Sequence, residues 1–175
     1  MKNAVITIFV IAVTVLGFLF FTKDKSSNVG NGSGAANTSS TDSSNSTPIK
    51  GKTLDLSRKG LTAVPHDVLD DSTVKVFDVS NNNLTGALPE EIRKLSNLEE
   101  LDASNNKITG IPAGIGQLSK LKTVNYANNN ISGLPNEIGN LKNLETFDLR
   151  GNPNVSKQDL SQIQSKLPNA EFLTD

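Results

Sequence analysis

The chain contains no cysteine, which excludes disulfides, thiolate metal sites and cysteine nucleophiles. It also lacks tryptophan, and its net charge of −1 provides no basic surface of the kind that neutralises nucleic-acid phosphates. Its single histidine, His66, follows Pro65 with no serine or cysteine nucleophile motif nearby, so we interpret it as an exposed loop residue. The sequence predicts no nucleic-acid partner, no cofactor and no catalytic residue.

An apolar run near the amino terminus is the longest hydrophobic feature. Residues 4–21 are interrupted only by Thr7, Thr14 and Gly17, and as a helix they would extend about 27 Å, close to the roughly 30 Å of a bilayer core. A cleaved signal peptide is the alternative, but the run ends in "FLFFTKDK", which puts bulky and charged residues at the cleavage positions. We therefore predict a signal anchor over residues 1–25. A short cytoplasmic tail ahead of it would place the rest of the chain outside the cytoplasm.

Residues 26–49 consist mostly of Ser, Asn, Gly and Thr, with almost no large apolar side chain. Such a segment cannot bury enough surface to offset the entropy of ordering it. It is predicted to be a flexible linker.

One phrase recurs three times in the remaining sequence, as "NNLTGALP", "NNKITGIP" and "NNISGLP". The apolar residues that follow the Asn-x pairs are spaced by 23 or 24 positions, at Leu61, Leu84, Ile108 and Ile131. The full pattern is L-x-x-L-x-L-x-x-N-x-L, a repeat that buries its apolar face only by stacking on its neighbours. About five copies are predicted over residues 50–155.

The asparagine of each copy is predicted to be structural. Its side-chain amide can satisfy backbone groups in the turn that leaves a short strand, and stacking lets each copy do so. After the turn a proline stands where a short helix can begin. Residues 156–175 are predicted to form a carboxyl-terminal capping helix and tail, with a capping box from Ser156 and Asp159. The predicted asparagine ladder is Asn82, Asn106, Asn129 and Asn152.

Residues 51–175 resemble leucine-rich repeat proteins, most clearly in "LPNEIGNLKNLETFDLRGNP". The resemblance implies an α/β solenoid, a short arc with a parallel β-sheet on the concave face and short helical or irregular segments on the convex face. It also implies a protein partner bound on the concave face. Without the cysteine-stapled caps of plant and animal extracellular members, the chain looks more like a bacterial surface or envelope protein.

Strand residues between the buried positions are the candidate binding residues. They form a strip rich in carboxylates, hydroxyls and amides, which could accept a basic or polar partner; the alternative is that each Asp is only a solvated filler. Aromatic anchors are scarce, which favours weak, polar or multivalent binding. The candidates are Asp55, Asp78, Ser80, Asn81, Glu100, Asp102, Ser104, Asn105, Thr123, Asn125, Asn128, Asp148 and Arg150.

Carboxylates on such a sheet diverge rather than converge, and no D-x-D-x-D-G calcium loop is present, so no metal site is predicted. An open solenoid also offers no water-excluded cleft for an acid–base pair. The leading hypothesis is a non-enzymatic, membrane-tethered recognition module acting outside the cytoplasm. The alternative is an accessory or structural subunit whose transmembrane helix docks to a membrane partner, with the repeats as a spacer.

Overall fold

The period-two stretch in each copy forms one short strand, because its apolar residues pack inward while the residues between them face solvent. The computed structural model describes residues 51–175, so the predicted anchor (1–25), the predicted linker (26–49) and residue 50 lie outside the described residues. The strands are β1 (Lys52–Asp55), β2 (Val74–Asp78), β3 (Thr85–Gly86), β4 (Glu100–Asp102), β5 (Lys107–Ile108), β6 (Thr123–Asn125), β7 (Thr146–Asp148) and β8 (Glu171–Leu173).

Six of these strands form one all-parallel sheet in the order β1-β2-β4-β6-β7-β8, and β3 pairs with β5 in a separate parallel ladder. The register keeps equivalent repeat positions side by side, so that Phe77 lies opposite Leu101 and Val124 lies opposite Phe147. Those side chains are all buried in one continuous core. The predicted solenoid with a parallel sheet is confirmed.

The return side of each of the first four repeats is a five-residue 3-10 helix that directly follows a proline. Each proline is extended, with ψ between 135° and 143°, and the helix begins at the next residue. Val68 holds the place in η1 that the fully buried Ile92 holds in η2, but it is only partly buried, and its neighbour Leu69 is the fully buried residue. The helices are η1 (His66–Asp70), η2 (Glu90–Lys94), η3 (Ala113–Gln117) and η4 (Asn136–Asn140).

The return side of the fifth repeat is a true α-helix, α1 (Lys157–Lys166), which packs against η4. The Ser156 side chain accepts a hydrogen bond from the backbone N–H of Asp159 at 3.2 Å. The Asp159 carboxylate does not accept a hydrogen bond from the backbone N–H of Ser156. It accepts one from the N–H of Leu134 in the preceding repeat instead. The predicted capping box is therefore only half formed, and its acidic member joins two repeats instead.

The segment after α1, expected to be a tail, contains the sixth strand of the sheet. Residues Glu171–Leu173 pair in parallel with β7, and Phe172 lies opposite Phe147 with ring centroids 5.9 Å apart. The sequence hides this strand because only three residues carry it and no asparagine turn follows.

None of the helices within residues 51–175 is long and apolar enough to cross a membrane.

Candidate binding face

The candidate residues lie on the solvent side of the sheet and in the turns that leave it. We call the outward positions of β1, β2, β4, β6 and β7, with the second and third residues after each strand, the concave face. Neighbouring strands of a sheet are about 4.8 Å apart, so equivalent residues form rows across this face. Each row has a different local role.

The last residue of each of these strands forms a turn with its own backbone. The Asp102 carboxylate accepts a hydrogen bond from the N–H of Ser104 at 2.9 Å, and Asn125 does the same for Ala127 at 2.9 Å. Asp55, Asp78 and Asp148 repeat this contact, at 2.9, 2.8 and 3.0 Å. These aspartates therefore have a structural role, because one carboxylate oxygen of each orders the turn. They are not simply solvated, and only part of each carboxylate is available to a ligand.

The serines of the next row are less available than the sequence suggests. Ser80 is 5% exposed and Ser104 is 6% exposed. Each hydroxyl accepts a hydrogen bond from the side-chain amide of the following asparagine, Asn81 or Asn105, at 3.0 and 3.3 Å. A partner on the concave face would reach the asparagines before the serines.

Asn81, Asn105 and Asn128 are exposed and hold left-handed backbone conformations, with φ between 55° and 57°. Asparagine tolerates this region better than most residues, and Gly151 occupies the same place in the fifth repeat with φ 71°. The Asn128 amide also donates to Asn105 Oδ1 at 3.0 Å, which links two repeats across the surface. This backbone requirement accounts for the asparagines without any ligand, although their amides remain accessible.

Among residues 51–175, Glu100 is the one carboxylate whose pKa is raised. It stands on β4 in the row beside Asp102 and is partly buried. Burial raises its pKa above the usual value of 4.5, and the charges of Asp102 and Asp78 raise it further. Thr123 and Asn125 on β6 continue the two rows as neutral, partly buried groups. Negative charge on the concave face is therefore densest on β4, which carries Glu100 and Asp102, with Asp78 beside it on β2 and Asp55 beyond it on β1.

The far end of the strip is neutralised by an ion pair. The Asp148 side chain is largely buried, and Arg150 Nη2 lies 2.5 Å from its Oδ2 while Nε lies 3.0 Å from its Oδ1. Burial alone would raise the pKa of Asp148, but the hydrogen bonds and charge of Arg150 outweigh it and hold the pKa below its usual value. Asp148 and Arg150 thus satisfy each other rather than offering free charge.

Sequence reasoning missed a charge ladder at the edge of the concave face. Glu99 accepts Lys75 at 2.7 Å on one side and Lys122 at 3.1 Å on the other. Hydrogen bonds from Lys75 and then Lys122 lower the pKa of Glu99. The signal was present, since the three residues share one repeat position with alternating charge.

The asparagine ladder lies beneath these rows and joins each turn to the preceding repeat. Asn129 donates from Nδ2 to the carbonyls of Ala103, Tyr126 and Ala127, and its Oδ1 accepts from the N–H of Ile108 at 2.9 Å. Asn82, Asn106 and Asn152 make equivalent contacts. These side chains fix the shape of the face and leave no polar atom free for a ligand.

The single histidine lies on the return side of the repeats. His66 is exposed, and its Nδ1 lies 3.4 Å from Glu91 on the return side. In the same part of the chain no group of three or more histidines, aspartates or glutamates is placed to hold a metal ion.

Comparison with known proteins agrees with this architecture. Residues 73–165, more than half of the chain, match the model of the leucine-rich repeat region. No curated protein matches the chain.

Among solved structures, a leucine-rich repeat protein of Leptospira interrogans is 40% identical, with a TM-score of 0.60, over 63% of this chain and 28% of its own. Internalin C2 of Listeria monocytogenes is 27% identical, with a TM-score of 0.61, over 71% and 51%. The plant peptide hormone receptor RGFR1, solved in complex with RGF2, is 31% identical, with a TM-score of 0.54, over 63% and 18%. The chain spans less than a third of the Leptospira and RGFR1 proteins. It belongs to the leucine-rich repeat family.

Proposed function

We propose that this chain is a non-enzymatic recognition module whose concave face binds a basic segment of a protein partner. The observation that carries the proposal is the placement of Asp78, Glu100 and Asp102 on two adjacent strands. Burial, and then the charges of Asp102 and Asp78, raise the pKa of Glu100, and a Lys or Arg side chain set among the three carboxylates would offset their repulsion.

The surrounding surface suits an extended partner. Exposed amides of Asn81, Asn105 and Asn128 stand in a row beside the carboxylates and can hydrogen-bond a backbone. The face lacks exposed aromatic anchors, because Tyr126, Phe77 and Phe147 are all buried. Binding would thus depend on charge and hydrogen bonds and would weaken as salt increases.

The family supports a protein or peptide as the partner class. Leucine-rich repeats commonly mediate protein–protein interaction, and the RGFR1 structure contains a bound partner, RGF2.

The experiment is a selection of peptides from a random display library on the full-length protein, followed by affinity measurements on two variants. The test variant is Asp78→Asn/Glu100→Gln/Asp102→Asn, in which each amide keeps a carbonyl oxygen as the hydrogen-bond acceptor. The matched control, Asp67→Asn/Asp70→Asn/Glu137→Gln, removes the same charge from exposed positions of the return helices. We expect Lys- and Arg-rich peptides that bind the test variant about tenfold more weakly and the control as well as the wild type. Equal loss in both variants, or no basic preference, would contradict the proposal.

We further propose that residues 1–25 anchor the chain in a membrane and that residues 26–49 hold the repeats outside the cytoplasm. The support is the 18-residue apolar run followed by a Ser-, Asn- and Gly-rich segment. Protease added to intact cells should remove the repeats while the amino-terminal segment stays with the membrane. Protection of the repeats until lysis would show that the location is wrong, without bearing on the binding face.

A further inference from the structure

The two ends of the six-stranded sheet are edge strands that match each other. Within residues 51–175, β1 and β8 each pair on one side only, which leaves a row of backbone N–H and C=O groups open at each edge. All the strands run parallel. The outer edge of β8 is therefore the kind of surface to which another parallel strand adds.

Apolar groups are left over at the amino-terminal end. Leu54, Leu56 and Leu61 are only partly buried, although the equivalent residues of the second repeat, Phe77, Val79 and Leu84, are at most 2% exposed. A repeat of this family buries such side chains by stacking on a preceding copy. Nothing in the described part of the chain precedes this repeat to do so.

A cavity is left over at the other end. It has a volume of about 280 Å³ and is lined mainly by Leu149, Pro153, Val155 and Leu160, with Thr174 and Asp175 at its rim. Leu149, Pro153 and Val155 follow β7 in the fifth repeat and Leu160 lies on α1, so the cavity is at the carboxyl-terminal end of the stack. The cavity lies where the apolar side chains of one more repeat would insert.

The return side does not obstruct such an addition. β8 has no return helix of its own, but α1 is about 10–12 Å across, which spans about two strand spacings of 4.8 Å. The width of α1 therefore covers the return side of both β7 and β8. The return helix of a strand added beyond β8 would pack directly against α1.

The charges at the two ends are opposite. Extending the β7–β8 register by one strand would set Glu171 against Thr53 and next to Lys52, and would set Asp175 next to Arg58. All five side chains are exposed, and within one copy Lys52 also pairs with Asp71. The same register places Phe172 against Leu54, which continues the core row.

We propose that a second copy of this chain docks head to tail, with β1 of one copy added to β8 of the other and with Leu56 and Leu61 entering the end cavity. The contact joins two different surfaces, so it can propagate from copy to copy. It leaves the concave face open, and it does not depend on the function proposed above.

The absence of native cysteines permits a direct test by cross-linking. Full-length protein carrying Thr53→Cys and Glu171→Cys, in detergent micelles, is oxidised and run on a non-reducing gel. A disulfide within one copy cannot form, because the two positions are separated by five strand spacings, about 24 Å. We expect a ladder of dimers, trimers and larger species that disappears on reduction.

Three controls decide the register. Neither single-cysteine variant should give a ladder. The pair Thr53→Cys/Thr123→Cys should give none either, because Thr123 lies on the central strand β6. Monomer alone from the Thr53→Cys/Glu171→Cys protein would overturn the proposal, including the case in which residues 1–50 cover β1. Dimers from Thr53→Cys alone would also overturn it, since they indicate a two-fold contact between β1 edges.

A charge exchange provides a second measurement that does not use cysteines. In low salt, Lys52→Glu should weaken self-association about tenfold in sedimentation experiments, and adding Glu171→Lys should restore it. The matched control, Lys94→Glu, breaks a comparable exposed ion pair, with Asp70, on η2 and should have no effect. An equal effect of Lys52→Glu and Lys94→Glu, or no restoration, would contradict the head-to-tail contact.

Discussion

Asn125 on β6 holds the position that Asp102 holds on β4, and both side chains accept a hydrogen bond from the N–H two residues later at 2.9 Å. The chain thus contains its own neutral version of the aspartate turn. An amide oxygen performs the structural task as well as a carboxylate oxygen. The structural and electrostatic roles of the concave aspartates can therefore be separated by substitution.

From this relationship we predict that Asp102→Asn changes the free energy of unfolding by less than about 0.5 kcal/mol, whereas Asp102→Ala lowers it by about 1 kcal/mol. The alanine leaves the N–H of Ser104 without its acceptor. Urea denaturation of both variants measures the difference. Equal losses would show that the charge, rather than the turn, stabilises this position.

The buried asparagine ladder should be much less tolerant. Asn129→Ala removes an amide that bonds three carbonyls and one N–H, and we expect a loss of about 3 kcal/mol or more, since several buried groups lose their partners together. The neighbouring exposed Asn130→Ala should cost less than about 0.5 kcal/mol. Denaturation midpoints that shift equally for the two variants would contradict this account of the ladder.

Tyr126 is fully buried, and its hydroxyl is the one buried side-chain polar atom within residues 51–175 that has no hydrogen-bond partner. Burial raises the pKa of this hydroxyl far above its usual value. We predict that Tyr126→Phe leaves the free energy of unfolding unchanged or raises it by up to about 1 kcal/mol, because the ring packing on Phe147 is kept and an unpaired polar group is removed. A clear loss of stability would indicate that the hydroxyl is bonded in solution.

The pH dependence of stability should report the crowding around Glu100. Because its folded pKa is raised above the usual 4.5, its contribution is most favourable when it is protonated and becomes unfavourable as pH rises through the folded pKa. Glu100→Gln should therefore be more stable than the wild type at pH 7, and the difference should disappear below about pH 4. Thermal unfolding at pH 7 and pH 3 measures both values, and a difference that persists at pH 3 would have another cause.

The sequence predicted the solenoid well because its main determinants are local and periodic. Leucine spacing, the asparagine after each strand and the proline before each return helix each act within one repeat and recur in register. The concave face was predicted by position, but the roles of its residues were not. Asp78 can order a turn or bind a ligand, depending on the direction in which its carboxylate oxygens point. The sequence pattern does not determine that direction.

The ends of the solenoid were least predictable. β8 follows α1 without an asparagine turn, and only its pairing with β7 identifies it. The bond from the N–H of Leu134 to Asp159 likewise joins residues 25 positions apart, so the local capping pattern could not predict it. Single-copy contacts of this kind leave no periodic trace in the sequence.

Carboxylate footprinting tests the central claim most directly. The full-length protein is labelled with a carbodiimide and an amine, with and without a selected basic peptide, and modification is measured residue by residue. The account predicts that the peptide protects Asp78, Glu100 and Asp102 while Asp67 and Glu137 on the return helices stay fully labelled. Protection of the return helices, or unchanged labelling of the concave carboxylates at saturating peptide, would contradict it.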